Sequence, residues 1–142
     1  MIDITELATD VNNLSTFISN NFTIIYPNGG TKASTDAGTS NIAVNTRYIC
    51  DNPFPGYNVN CVAEIYTDGG WYNVELDQVI NGGTYQVYGT VAHYASATDK
   101  IIVITGAQAI DNNPAYSLGA HLAYHALKTA PCRVLVWRGG KK

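Results

Sequence analysis

The chain has 142 residues, which is enough to bury the core of one domain, and no change of composition marks a second domain. Charged residues make up 13% of it and hydrophobic residues 46%, so uncharged polar side chains must cover much of the surface. The net charge of −3 and the pI near 5.4 argue against a nucleic-acid-binding protein, which needs clustered Lys and Arg.

The first predicted element is an amphipathic helix over residues 3–20. Its apolar residues recur at alternating spacings of three and four, with Ile or Val at every a position of a heptad and Leu at both d positions. They are Ile4, Leu7, Val11, Leu14 and Ile18. The intervening Thr, Asn, Ser and Asp residues are poor helix formers, so this helix must gain its stability from packing. We expect it to oligomerise with other copies of the chain or to anchor them; the alternative is that it lies on its own β domain.

The remainder of the chain, residues 21–142, alternates strand-like segments with turn signals. The predicted strands cover 22–26, 42–51, 59–67, 71–76, 85–95, 101–105 and 132–138. A loop is predicted over 31–40, and Pro53 and Pro55 predict a rigid turn after the second strand. Gly-rich turns later in the chain predict hairpins. We therefore expect an all-β fold, a β-sandwich or jelly-roll-like domain with one N-terminal α-helix.

One segment, 117–128, fits two structures. As a helix it contains good helix formers and a partial apolar stripe of Leu118, Leu122 and Leu127. As a strand it fills an obvious place among the neighbouring predicted strands, and Gly119 weakens a helix. We favour the strand and leave the helix open.

Three cysteines, Cys50, Cys61 and Cys132, lie in apolar segments, and their odd number does not suit a disulfide framework. We interpret them as buried thiols of a protein made in a reducing cytosol. The basic residues at the carboxyl end predict a frayed, solvated tail. They are Arg133, Arg138, Lys141 and Lys142. No secretory signal pattern and no run of about 18 apolar residues is present, so we expect neither that route of secretion nor a membrane span.

Motifs of catalytic chemistry are weak in this sequence, which has no GxSxG, P-loop or GxGxxG pattern. His121 and His125 are the strongest metal-ligand candidates, because two imidazoles four residues apart on a helix point the same way. On a strand they would lie too far apart to share a metal within one chain, and only Asp111 is a nearby third ligand. Glu64 and Glu75 could face each other across one hairpin. We nevertheless expect no enzyme, no cofactor and no bound metal.

Aromatic residues are dense around the central hairpins and offer a binding surface instead. Flat amphipathic rings beside Asn, Asp and Thr are typical of surfaces that bind sugars or dock proteins. The alternative is that these tyrosines are good β formers that fill half-buried faces. The surface-binding candidates are Tyr57, Tyr66, Trp71, Tyr72, Tyr88 and Tyr94.

Short segments spread over most of the chain carry a family resemblance. They are Ile25-Tyr26-Pro27-Asn28-Gly29-Gly30, Asn45 with Arg47-Tyr48, Asn52-Pro53-Phe54-Pro55-Gly56-Tyr57, Val59-Asn60-Cys61-Val62-Ala63-Glu64 and Ala130-Pro131-Cys132-Arg133-Val134. In these segments the chain resembles small tail-fibre-like or tail proteins of tailed bacteriophages. The segments look like turns and strand edges that specify a fold, so they carry no catalytic residue over.

The resemblance implies a virion structural protein of tail-fibre or tail-tip type, assembled in the host bacterial cytoplasm and usually trimeric. Such a protein attaches to a host surface glycan or protein, or to a neighbouring virion protein. The alternatives are a capsid decoration or head-tail connector protein and, from another class, a metal-assisted or glycan-cleaving enzyme. The heptad itself favours a dimer, since β-branched a and Leu d residues do so in parallel coiled coils. We follow the resemblance and expect a homotrimer, with the receptor and the position in the virion left open.

Overall fold

The computed structural model describes residues 3–27, 41–111 and 126–142. In chain order its elements are α1 (Ile4–Asn21), β1 (Phe22–Ile25), β2 (Asn41–Ala43), β3 (Arg47–Asp51), β4 (Tyr57–Thr67), β5 (Gly70–Asn73), β6 (Leu76–Asn81), β7 (Thr84–Ala95), β8 (Lys100–Thr105) and β9 (Thr129–Lys141). The predicted loop over 31–40 lies outside the described residues, and so does most of the segment 117–128, for which strand and helix were both open.

Helix α1 confirms the predicted amphipathic helix. Asp3 caps its start, because its Oδ1 accepts hydrogen bonds from the backbone N–H groups of Thr5 at 2.9 Å and Glu6 at 3.3 Å. The helix ends at Asn21, since Phe22 adopts an extended backbone with φ −147° and ψ 140° and begins β1. None of its residues is buried, so packing within the chain contributes little to its stability. No helix of the described ranges has the length and apolar character needed to cross a membrane.

The strands form two antiparallel sheets. In sheet 1 the order is β1-β9-β4-β5, and the short strand β2 pairs with the first residues of β9. In sheet 2 the order is β3-β8-β7-β6. Strand β9 is long enough to pair with β1, β2 and β4, so it organises the whole of sheet 1. The expected β-rich fold with one N-terminal helix is therefore confirmed.

Both sheets contribute to one hydrophobic core. Sheet 1 supplies Ile65 from β4 and Val134 from β9, and sheet 2 supplies Val103 from β8, each with no measurable exposure to solvent. The buried residues of this core are Ile42, Val59, Ala63, Ile65, Val74, Ala92, Ile101, Val103, Ile110, Ala130, Cys132, Val134 and Val136. Alternate residues of the central strands thus face inward, as the period of two in a strand requires.

The predicted strand over 42–51 is wrong, because the chain forms two strands there and they belong to different sheets. Strand β2 pairs with β9 in sheet 1, and β3 pairs with β8 in sheet 2. Asn45 breaks the strand with φ 52°, a left-handed conformation that Asn tolerates better than most residues. Thr105 fixes the crossing, since its Oγ1 donates to the carbonyl of Ala43 and accepts from the N–H of Thr46, both at 2.8 Å.

The predicted strand over 71–76 is also divided between the sheets. Strand β5 pairs with β4 and ends at Asn73, whereas β6 begins at Leu76 and pairs with β7. Val74, between them, is buried, and its N–H donates to the carbonyl of Ala63 at 3.1 Å. Because Val74 is apolar and buried, it packs the connection between β5 and β6 into the core. Its hydrogen bond to Ala63 satisfies the buried N–H group.

The frayed carboxyl-terminal tail that the basic residues predict is wrong. Strand β9 continues to Lys141, which lies opposite Tyr57 of β4. The N–H of Lys142 donates to the carbonyl of Gly56 at 2.9 Å. Arg133 and Arg138 lie within paired strand, so two of the predicted tail cations occupy fixed positions on sheet 1.

Candidate functional site

The apolar side chains of α1 face solvent along the whole helix. The helical stripe consists of Ile4, Leu7, Val11, Leu14 and Ile18. The exposed fraction of these side chains ranges from 50% for Ile18 to 80% for Ile4. Phe17 is 64% exposed and widens the apolar surface at a position that the a and d pattern did not select. Contiguous exposed apolar surface marks interaction sites in proteins, so the stripe is the first candidate site.

Sheet 1 carries a second apolar surface on the side away from the core. The outer face, as we name it, consists of Phe22, Ile24, Val62, Leu135 and Trp137. Phe22 lies opposite Trp137 in the strand register, and Leu135 lies opposite both Ile24 and Val62. Directly opposite residues share one face of a sheet, and the alternate residues of β9 belong to the core. None of the five is fully buried, and Trp137 is 40% exposed.

The helical stripe and the outer face follow each other along the chain. Phe22 is both the C-cap residue of α1 and the first residue of β1, and its ring lies 5.3 Å from that of Trp137. Helix α1 also approaches β1 and β9 at this junction. The helical stripe and the outer face are therefore adjacent at Phe22, where the helix passes into sheet 1.

A charged and aromatic cluster adjoins the outer face. The Nε of Arg133 donates to Oε1 of Glu64 at 2.7 Å, and the two side chains are 19% and 10% exposed. The guanidinium lies 4.3 Å from the ring centre of Trp71, which in turn makes an edge contact with Tyr66 at 5.4 Å. Two of the aromatic binding candidates are thus held together by contacts within the chain. Glu64 and Glu75, the carboxylate pair considered for an enzyme, do not lie opposite each other in the strand pairing. Glu64 lies opposite Asn73 and Arg133.

The other aromatic candidates are dispersed. Tyr72 lies opposite the fully buried Ile65, and Tyr88 donates to Oε1 of Gln86 at 3.3 Å. Tyr94 packs against the core, and its hydroxyl donates to Asp99. The six predicted candidates therefore do not form one continuous binding surface.

Tyr57 belongs to a rigid turn that connects β3 to β4. The side chain of the buried Asn52 accepts from the N–H of Phe54 and donates to the carbonyl of Tyr57, each at 2.9 Å. The same amide donates to Oδ1 of Asp99 at 2.9 Å, and Tyr94 donates to that oxygen at 2.6 Å. These contacts, which we call the Asp99 clamp, tie the turn after β7 to the turn before β4.

An open groove of about 340 Å³ lies between this turn and the end of α1. The turn supplies an apolar wall, and the helix supplies polar side chains. The lining residues are Ser19, Asn20, Pro53, Phe54, Pro55, Tyr57 and Arg138. The Arg138 guanidinium lies 4.6 Å from the ring centre of Tyr57. This volume falls in the range of about 300 to 1,000 Å³ that is typical of small-molecule sites.

We expect acid to weaken the Asp99 clamp. Hydrogen bonds from Tyr94 and from Asn52 hold the pKa of Asp99 at about 2, below its usual 3.8. Because the pKa is lower in the folded state, the contribution of the clamp to stability is complete above about pH 5 and is lost as the pH falls towards about 2. The side chain is 31% exposed, so solvent screens part of this effect.

Thermal unfolding of the wild type and of Asp99→Asn, followed from about pH 6 to about pH 2, measures this contribution. Asn is a matched replacement, because it tolerates the left-handed φ of 56° at this position. The melting temperatures should differ most at the upper end of this range and converge as the acid protonates Asp99. A difference that stays constant with pH would assign the effect to the amide rather than to the charge.

The metal-ligand candidates His121 and His125 lie outside the described residues. Within the described ranges, no group of three or more His, Cys, Asp or Glu side chains is arranged to hold a metal ion. Asp111, the third ligand considered, is fully buried, and its Oδ1 accepts from the N–H of Leu127 at 2.7 Å. The hydrogen bond that the structure describes for the Asp111 carboxylate is therefore with a backbone N–H group.

All three cysteines are free thiols. Cys132 is fully buried, and Cys50 and Cys61 are half-buried, so the expectation of buried thiols is met in full only by Cys132. Burial raises the pKa of each thiol, most strongly that of Cys132. Thiols with raised pKa values stay protonated at neutral pH and are weak nucleophiles.

Comparison with known proteins supplies no family for these surfaces. Neither a protein-family model nor a curated protein matches the chain. The exposed surfaces described above are the helical stripe, the outer face and the groove.

Proposed function

We propose that the chain is a non-enzymatic structural protein of a bacteriophage virion, of tail-fibre or tail-tip type. In this proposal it assembles as a homotrimer, and its two sheets form a β-sandwich that attaches to the host surface or to a neighbouring virion protein. Assembly takes place in the bacterial cytoplasm, an environment that suits three free thiols. The assignment to a virion derives from the sequence resemblance, and the oligomer derives from the exposed surfaces.

The observation that carries the oligomer is the exposure of every residue of the helical stripe, which is at least half in each case. An isolated helix of this composition is marginally stable, because Thr, Asn and Ser are poor helix formers and the chain buries none of the helix. Association of stripes from several copies would remove this apolar surface from water. At roughly 25 cal/mol per Å² of apolar area, such burial is the largest stabilisation available to α1.

The outer face extends the proposed interface beyond the helix. Two heptads fall short of the three or four that make a self-sufficient coiled coil. Leu135 and its strand partners Ile24 and Val62 lie two residues along sheet 1 from the Phe22–Trp137 pair at the end of the helix, and all three are incompletely covered. We therefore assign the helix the role of a clamp and the sheet the larger share of the contact.

Two measurements test the virion assignment. Purified virions from the bacterial strain that carries the gene should contain the chain when their proteins are identified by mass spectrometry. Labelled protein should then bind host cells if it is a tail-fibre or tail-tip protein. Binding to purified virions without binding to cells would indicate a capsid decoration or head-tail connector protein instead. Absence of the chain from virions would contradict the proposal.

A further inference from the structure

We propose that the groove beside Tyr57 binds an acidic saccharide, a sugar ring that carries a carboxylate. This inference rests on the proposed function, since it names the ligand class of an attachment protein. It follows from three features of the groove: a rigid apolar wall, a guanidinium without a carboxylate partner among the described residues, and a helix end that offers hydrogen-bond acceptors.

The apolar wall is fixed before any ligand arrives. Pro53 and Pro55 restrict the backbone, and Asn52 holds the turn from inside through two hydrogen bonds to its backbone at 2.9 Å. The N–H of Tyr57 also donates to the carbonyl of Phe54 at 3.1 Å. A preorganised wall of proline and aromatic rings suits the C–H face of a sugar ring, because little conformational entropy is lost on binding.

Arg138 supplies the charge. Its guanidinium lies over the Tyr57 ring at 4.6 Å, and within the described ranges no carboxylate forms an ion pair with it. The acidic partners of Lys100, Arg133 and Lys142 are Asp51, Glu64 and Asp99. Arg138 is thus a cation at the groove that no carboxylate of the described residues pairs with, in a chain whose net charge is −3. A planar guanidinium binds a carboxylate in bidentate geometry.

The end of α1 favours a ligand that carries hydroxyl groups. Ser19 and Asn20 line the groove from the last turn of the helix, where backbone carbonyls have no partner within the helix. This end carries about half a negative charge, which disfavours a bare anion but favours hydroxyl donors. A matching ligand therefore presents a carboxylate to Arg138 and hydroxyl groups to the helix. A uronic acid meets both requirements, whereas a neutral sugar or an inorganic anion meets only one.

Titration calorimetry of the intact assembly with trigalacturonate tests the inference, with maltotriose as a neutral control of equal ring number. We expect trigalacturonate to bind about tenfold more tightly than maltotriose or better, the difference that one charge-assisted hydrogen-bonded pair provides. Arg138→Gln should weaken trigalacturonate binding by a similar factor. Arg138→Lys, which keeps the charge but loses the planar fork, should weaken it by a smaller factor.

Arg47→Gln is the matched charge control, because it makes the same Arg-to-Gln change at an exposed position of β3 in sheet 2, outside the groove. It should change trigalacturonate binding less than about twofold, as expected for a screened surface charge. Equal losses in Arg138→Gln and Arg47→Gln, or equal binding of the two sugars, would overturn the inference. No binding of either sugar would also overturn the inference. The oligomer and virion measurements test the proposed function independently of this result.

Discussion

Replacing Leu14 by Asp is expected to dissociate the assembly. Leu14 occupies a d position of the helical stripe and is 59% exposed in the single chain, so in the proposed assembly it packs against another copy. A carboxylate placed in an apolar seam costs several kcal/mol unless it is paired, which corresponds to a rise of about 100-fold or more in the dissociation constant. Sedimentation velocity over a range of protein concentrations measures this change directly.

Thr9→Asp is the matched control, because it adds the same charge to the polar side of the same helix. Thr9 is exposed, and its Oγ1 donates only to the backbone carbonyl of Thr5 at 3.1 Å. The control should leave the dissociation constant within about threefold, as surface substitutions usually do. If Leu14→Asp sediments like the wild type, the stripe does not lie in an interface, and the association would have to be assigned to sheet 1 alone.

Replacing Gly89 by Ala is expected to destabilise the fold strongly. A Cβ atom at this position would lie 1.8 Å from the carbonyl oxygen of Glu75, and the backbone φ of 94° is one that side chains rarely adopt. The Glu75 backbone lies in the connection from β5 to β6, so relief of the clash would move the start of β6. We expect a loss of at least about 3 kcal/mol in the free energy of unfolding, measured by urea titration.

Gly83→Ala separates the clash from the backbone strain. Gly83 has φ 81° in the turn between β6 and β7, and no atom lies within 4 Å of the added Cβ. This variant should lose only about 1 to 2 kcal/mol, the cost of a left-handed residue with a side chain. Equal losses at both positions would mean that the close approach of β7 to Glu75 does not matter for stability.

The helix and the β-rich fold could be predicted from periodicity alone. Alternating spacings of three and four select one side of a helix, and Asp3 before it is a suitable N-cap residue. The changes of sheet at Asn45 and Val74 could not be predicted in this way. At each of these residues the chain passes from one sheet to the other without a long loop. The apolar run of the sequence therefore continues, although the strand with which the chain pairs changes.

The candidate site was predictable only in part. The helical stripe was selected by its heptad, and Tyr57 was selected as one of the aromatic residues that are dense around the central hairpins. The outer face was missed, although a continuous apolar run such as 134–137 in β9 is a signal for a strand covered on both sides. Arg138 was placed at the end of the last predicted strand and also counted with a frayed tail, since no local pattern reveals that β9 pairs with β4 as far as Lys141.

The mass of the full chain in solution shows whether exposed apolar surfaces join copies of the chain. Multi-angle light scattering on the untagged protein at micromolar concentration should give three times the chain mass of 15.3 kDa. A mass of twice the chain would keep the interface and replace the trimer by the dimer that the heptad favours. A mass of 15.3 kDa at every concentration would contradict the account.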